Sequence, residues 1–269
     1  MPEPYHTELS WQERALHYGD GLFETLLKQD GQIPLWDQHV ARLTKGCSRL
    51  SIHVPDPVWL KAEVFKKSVD LKDCVVKMIV SRGQGGRGLK LPSHPQPSVF
   101  VLCYPWQRPE NLDIEVKTCD TRLPINPRLA GIKHLNRLDY VLASLELQQT
   151  PDLAEGILCD YEGYLVEGII SNLFFIIDNQ LCTPSLELAG VEGIMRQQVL
   201  QLAQRLDLNI KIDRYPLSKI DQASEIFMCN SVRGICPVVK IDDREIKRGG
   251  ITEQLLAALA PANSGVMGR

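Results

Sequence analysis

The chain has 269 residues, 44% of them hydrophobic and 23% charged, with a formal net charge of -3. That length builds one large domain or two of ordinary size, and the composition is that of a folded protein rather than a disordered one. A slightly acidic chain carries no electrostatic footprint for nucleic acid or an anionic membrane, and the apolar runs 99–104 and 173–177 are far short of the roughly 20 residues that span a bilayer. The opening MPEPYHTELS lacks the basic-then-apolar layout of a signal peptide, so a soluble cytoplasmic protein is expected. Eight cysteines, at 47, 74, 103, 119, 159, 182, 229 and 236, form no CxxC pair, and several sit inside apolar runs. They read as reduced, buried small hydrophobes, and no metal site is expected.

In chain order, Gly19–Gln29 reads as a loop entering a strand, turned by Asp30-Gly31. A helix is predicted over Asp37–Leu50, with Val40, Leu43, Cys47 and Leu50 as its apolar stripe, and another over Pro57–Ser68. Val75–Ser81 and Ser98–Tyr104 read as neighbouring strands, and Ile114–Asp120 as a third. The irregular, proline-bearing RLPINPR, 122–128, is the expected interdomain connection. Thereafter come a helix (138–148), strands (155–160, 164–167, 172–178), a helix (193–206), strands (210–213, 225–229) and a helix over Thr252–Leu259. The expected organisation is α+β in two domains: 1–120, a link at 121–129, and 130–269.

One motif misleads. Gly83, Gly85 and Gly88 satisfy GxGxxG after a strand, but LKLPSHPQP follows, and three prolines in nine residues cannot start the helix a dinucleotide site requires. The glycines read either as a plain hairpin loop or as freeing Arg87 to reach a carboxylate. Lys133, in GIKHLNRL at 131–138, is flanked by Ile132 and Leu135. A solvated lysine is mostly protonated at neutral pH and a poor nucleophile. Partial desolvation or a nearby cation lowers the pKa and frees the amine for Schiff-base chemistry, whereas most such lysines simply snorkel to water. Arg42 lies on a predicted helix, Glu167 at a strand end, and GIMRQQ opens a helix at Gly193, whose free amides suit phosphate.

Taken in order, HVARL, GIKHLNRL, VEGIISNLFF, GVEGIMRQQ and FMCNSVRGICPV resemble the class IV aminotransferase family of pyridoxal-phosphate enzymes, from about Trp11 to Pro237. The resemblance implies the type IV fold: a smaller N-terminal α/β sandwich domain, a larger C-terminal α/β barrel-like domain, and the cofactor in the cleft between them. It implies that Lys133 holds pyridoxal 5'-phosphate, that Glu167 pairs with its ring nitrogen, and that Asn172 of the same EGxxxNLF pattern belongs to the cofactor set. Arg42, the backbone amides of Ile194 and Met195, and the Ser231 hydroxyl would bind the phosphate.

Within the family, YGDGLFETLL, SRGQGGRG, LAGIKHLNRL and GIMRQ look most like the branch that splits 4-amino-4-deoxychorismate into 4-aminobenzoate and pyruvate in folate synthesis. Arg87 matches an arginine that binds the substrate carboxylate across a homodimer interface in the D-amino-acid branch. Leu89 stands where that branch has a histidine, which weakens a D-amino-acid assignment. The alternatives are a D- or branched-chain aminotransferase of the same fold, and a non-catalytic protein on this scaffold.

Overall fold

The structure, a computed structural model, describes residues 5–148, 150 and 153–263. Two units emerge: one runs up to Gln107 and takes back Ile132–Arg137, and the other comprises Arg108–Gly131 and the chain from Leu138 on.

The first unit holds α1 (Arg14–Tyr18), β1 (Gly21–Lys28), α2 (Trp36–Leu50), α3 (Pro57–Lys67), β2 (Cys74–Ser81) and β3 (Ser98–Pro105), the strands forming an antiparallel sheet in the order β1-β2-β3. Its alternating residues divide two faces, as the period of a strand requires. Leu22, Leu26, Val76, Met78 and Val80 are buried, whereas Phe23, Thr25, Lys77 and Ile79 are only half-buried. At the end of β1, Asp30 and Gly31 both take positive φ and Gln29 N–H donates to the Gln32 carbonyl, the tight turn that Asp-Gly favours. α2 buries Trp36, His39, Leu43, Gly46 and Cys47, a stripe rotated from the expected one. The reason is Gly46: a Cβ there would lie 2.9 Å from two carbons of Leu22, so the helix approaches β1 on its glycine side. α3 starts where Asp56 caps the Val58 and Trp59 amides and proline occupies the first turn.

The second unit is built on β4 (Ile114–Leu123), β5 (Glu155–Asp160), β6 (Leu165–Gly168), β7 (Asn172–Ile177), β8 (Gln180–Pro184), β9 (Ile210–Asp213), β10 (Glu225–Asn230), β11 (Gly234–Ile241) and β12 (Arg244–Glu245), with α4 (Leu138–Leu147), α5 (Ile194–Arg205) and α6 (Gly250–Asn263). Its nine-stranded sheet runs β6-β5-β4-β11-β10-β7-β8-β9, with β12 beside β11. The order itself demands curvature. β6 and β7 stand five places apart, about 24 Å in a flat sheet, yet the chain from Gly168 to Asn172 reaches at most about 15 Å. The sheet therefore curls until β6 lies near β7, giving the barrel-like second half of the expected α+β fold. Phe174 and Phe227 stack at 4.9 Å within its core.

The expected boundary at 121–129 is corrected. β4 pairs in parallel with β5 and β11, which puts residues 114–123 and the irregular stretch after them inside the second unit. The division falls instead at 107/108.

Candidate active site

In the first unit, the segment 132–137 lies alongside β1. Phe23 N–H donates to the Lys133 carbonyl and Leu135 N–H to the Gly21 carbonyl, at 2.9 and 3.0 Å. Ile132 is fully buried, Lys133 half-buried. The Lys133 ammonium lies 4.4 Å from the Phe23 ring centroid, and the Arg137 guanidinium 5.6 Å from the same ring. Two cations therefore share the one ring. His134, between the two, has its pKa pushed down to about 4, by burial first and then by the charges of Arg137 and Lys133. Its Nδ1 has no hydrogen-bond partner among the described residues.

Glu24, the next residue of β1, faces the opposite side and is buried against α2. His39 and Arg42, one helical turn apart, both reach it: His39 Nδ1 at 2.7 Å, Arg42 Nε at 2.8 Å. Burial alone would raise the Glu24 pKa, but Arg42, helped by His39, outweighs burial and holds it at about 2. This pairing gives HxxRL a structural meaning invisible in the motif: it fixes the orientation of the Arg42 fork.

Arg87 is exposed and has no side-chain partner among the described residues. The loop that carries it is anchored: Arg14 Nη1 donates to the Gly88 and Lys90 carbonyls at 3.4 Å, and Gly88 N–H donates to the Tyr18 hydroxyl at 3.0 Å. No helix follows the three glycines, so the dinucleotide motif is excluded on structural grounds as well.

In the second unit, Glu167 on β6 is 3% exposed. Its Oε1 accepts from the Tyr140 hydroxyl at 2.6 Å, and its Oε2 from Asn172 Nδ2 and Val191 N–H, each at 3.0 Å. Donors on both oxygens fix the orientation of the carboxylate. Asn172 also donates to the Val191 carbonyl at 2.9 Å. A Cβ at Gly193 would fall 1.8 Å from Asn172 Oδ1, so only glycine fits at this N-cap of α5. Asn172 therefore joins the Glu167 carboxylate to the helix end whose first residues are Ile194 and Met195. That end has no side-chain cap, leaving its amide dipoles available to an anion.

Ser231 follows Asn230, whose Oδ1 accepts the Val232 and Arg233 amides and whose Nδ2 donates to Ser171 Oγ at 3.1 Å. Buried Glu155 bonds to Ser171 and accepts the Ile169 amide at 2.8 Å, bracing the link between Glu167 and Asn172. Tyr140 was not legible in the sequence, because nothing on α4 marks the one hydroxyl that reaches β6.

The second unit thus sets a buried carboxylate beside a helix end with no side-chain cap, and the first lays a half-buried lysine against an aromatic ring. The chain belongs to the class IV aminotransferase family: the family model described as Amino-transferase class IV matches residues 21–241. Aminodeoxychorismate lyase of Vibrio harveyi is 34% identical over 90% of this chain and 90% of its own. The crystal structure of 4-amino-4-deoxychorismate lyase from Pseudomonas aeruginosa superposes with a TM-score of 0.86 at 38% identity, covering 95% of each chain. A putative branched-chain-amino-acid aminotransferase of Methanocaldococcus jannaschii is 29% identical over 90% of this chain and 87% of its own.

Proposed function

We propose that this chain is a pyridoxal-phosphate-dependent lyase that converts 4-amino-4-deoxychorismate to 4-aminobenzoate and pyruvate, working as a cytoplasmic homodimer. The reading is carried by one observation: two lyases of that activity match nine-tenths or more of the chain at 34% and 38% identity. That no described helix is long and apolar enough to cross a membrane accords with it.

The residues fit the cofactor. Lys133 would hold it through its amine, and Glu167, positioned by Tyr140, Asn172 and Val191, would keep a proton on its ring nitrogen. Asn172 would belong to the same set. The amides of Ile194 and Met195, the Ser231 hydroxyl and the Arg42 fork would take its phosphate, the last held ready by Glu24. When bound, the cofactor supplies an electron sink for a carbon that has lost its proton.

The chain's own part is proton movement and orientation. Once the substrate amine has replaced it, the Lys133 amine can take the proton from C4 of the substrate. The electrons of that C–H bond form the new ring double bond as the enolpyruvyl C–O bond breaks, and the ring becomes aromatic. Protonated Lys133 can return its proton to the leaving enol, which is released as pyruvate. Atoms and electrons balance with no further reactant. Arg87 would hold a substrate carboxylate.

The aminotransferase relative at 29% identity keeps one rival reading in view, though Leu89, exposed in the loop, offers a D-amino-acid carboxylate no second polar partner. Incubation of the purified holoenzyme with 4-amino-4-deoxychorismate decides the matter. Equal amounts of 4-aminobenzoate and pyruvate are expected, and an amino group passing instead to an added keto acid would establish the rival.

A further inference from the structure

Arg196 stands third in α5 and is 8% exposed. A guanidinium stays charged at any ordinary pH, so a full positive charge is buried in the second unit. Its Nη2 donates to the Pro184 carbonyl at 3.0 Å and its Nε to Thr183 Oγ1 at 3.4 Å. Both acceptors are neutral. No carboxylate among the described residues comes within ion-pair distance of it. Glu167 is engaged by Tyr140, Asn172 and Val191, and the Glu192 carboxyl carbon lies 3.3 Å from where a Cβ at Gly131 would stand. Burial is accordingly the largest influence on the Arg196 pKa and pushes it down, while Cys229, Glu192 and Glu167 act the other way.

Helix physics alone disfavours a cation here. The first turn of a helix carries the positive end of its dipole and suits acids, yet α5 has no acid there and no side-chain cap at Gly193. A clamp between α5 and β8 would need the two hydrogen bonds but not the charge, and a buried charge without a counter-ion is costly. Thr183 continues the same frame, its hydroxyl donating to the Leu173 carbonyl at 2.8 Å. Leu173 adjoins Asn172, whose Oδ1 admits only glycine at 193. The guanidinium is thus tied to the frame that presents the Ile194 and Met195 amides, and its field has the same sign as theirs. An anion at that helix end would balance both.

We propose that Arg196 is a built-in counter-charge for the cofactor's phosphate, strengthening the hold of the α5 helix end from its seat on Thr183 and Pro184. The proposal rests on the reading that this helix end takes the phosphate. Arg196 would be a positioning residue acting through the field at the amides, with no part in the proton transfers.

The test compares pyridoxal 5'-phosphate with pyridoxal, which lacks the phosphate, each titrated by absorbance into the full-length protein stripped of cofactor. Arg196→Gln keeps a side-chain donor and removes the charge, whereas Arg196→Lys keeps the charge and loses the fork. In Arg196→Gln the Kd for pyridoxal 5'-phosphate should rise about tenfold or more, the scale of one unit charge acting on an anion through a protein interior. The Kd for pyridoxal should stay within about twofold of wild type. Arg196→Lys should keep most of the preference for the phosphorylated ligand.

An equal loss for both ligands would overturn the proposal, since a residue that only shapes the pocket moves the two together. So would an unchanged preference in Arg196→Gln, or one lost as fully in Arg196→Lys as in Arg196→Gln. If Arg196→Gln does not fold, Arg196→Lys decides alone: a preference within about threefold of wild type supports the charge, and a larger loss overturns it. A wild type that binds the two ligands alike removes the phosphate reading itself, and the role of Arg196 with it.

Discussion

Two buried carboxylates, one in each unit, show two ways of keeping a charge inside a protein. Glu24 is 1% exposed and meets Arg42 and His39, and its pKa is held at about 2. Glu167 is 3% exposed and receives a phenol, an amide and a backbone N–H. A cation across a short distance cancels most of a carboxylate's field. The donors on Glu167 fix the orientation of its carboxylate from both oxygens. In the proposed function Glu24 would be a structural anion that aims Arg42, and Glu167 a functional anion facing the cofactor.

The sharpest way to break that comparison is to remove each charge while keeping the shape. Glu167→Gln should lower turnover by orders of magnitude, since an electrostatic group matched to the reacting system is lost, with folding stability changed far less. A variant of unchanged kcat would put the functional carboxylate elsewhere. Glu24→Gln should do the reverse in kind. It leaves Arg42 buried without its counter-charge, a change worth about 3–5 kcal/mol of stability, and denaturant unfolding should record it, together with weaker cofactor retention.

Arg87→Ala sits outside both networks and should cost only substrate affinity, about ten- to a hundredfold in KM, with cofactor titration unaltered. Loss of the cofactor instead would move this loop to the phosphate.

The smallest effect is a pH dependence. Burial pushes the Glu155 carboxyl up to about 7 against its hydrogen bonds from Ser171 and the amides of residues 156, 170 and 169. Between its ordinary value of 4.5 and 7, the folded state binds more protons than the unfolded one, so this group's contribution is complete below 4.5 and is lost as pH rises through 7. Glu155→Gln should therefore gain in Tm relative to wild type as pH rises across that window, with the difference levelling off above it. A pH-independent difference would show that Glu155 does not titrate there.

The local pattern carried much of this architecture and part of the site. The runs 155–160, 172–177 and 225–230 are apolar enough to declare strands, and EGxxxNLF and GIMRQ point to the carboxylate and the helix end that the fold joins through Asn172. What stayed hidden is decided by pairing over long separations. β11 contains Pro237, which argues against a central strand, yet pairing with β4 begins only at Val238, so the missing N–H is not needed on that side. The boundary misread at 121–129 has the same cause: β4 belongs where Val116 meets Glu155 and Ile241, and no turn residue says so. Lys77, inside VKMIV, looks like any strand lysine until the fold brings it to Phe23.

Lys133 is the centre of the proposed chemistry. Borohydride reduction of the holoenzyme, followed by proteolysis and mass mapping, should place the pyridoxyl group on the peptide containing Lys133 and on no other lysine. Recovery of the label on Lys77, or on any lysine elsewhere in the chain, would contradict the assignment of the reactive amine and the division of labour built on it.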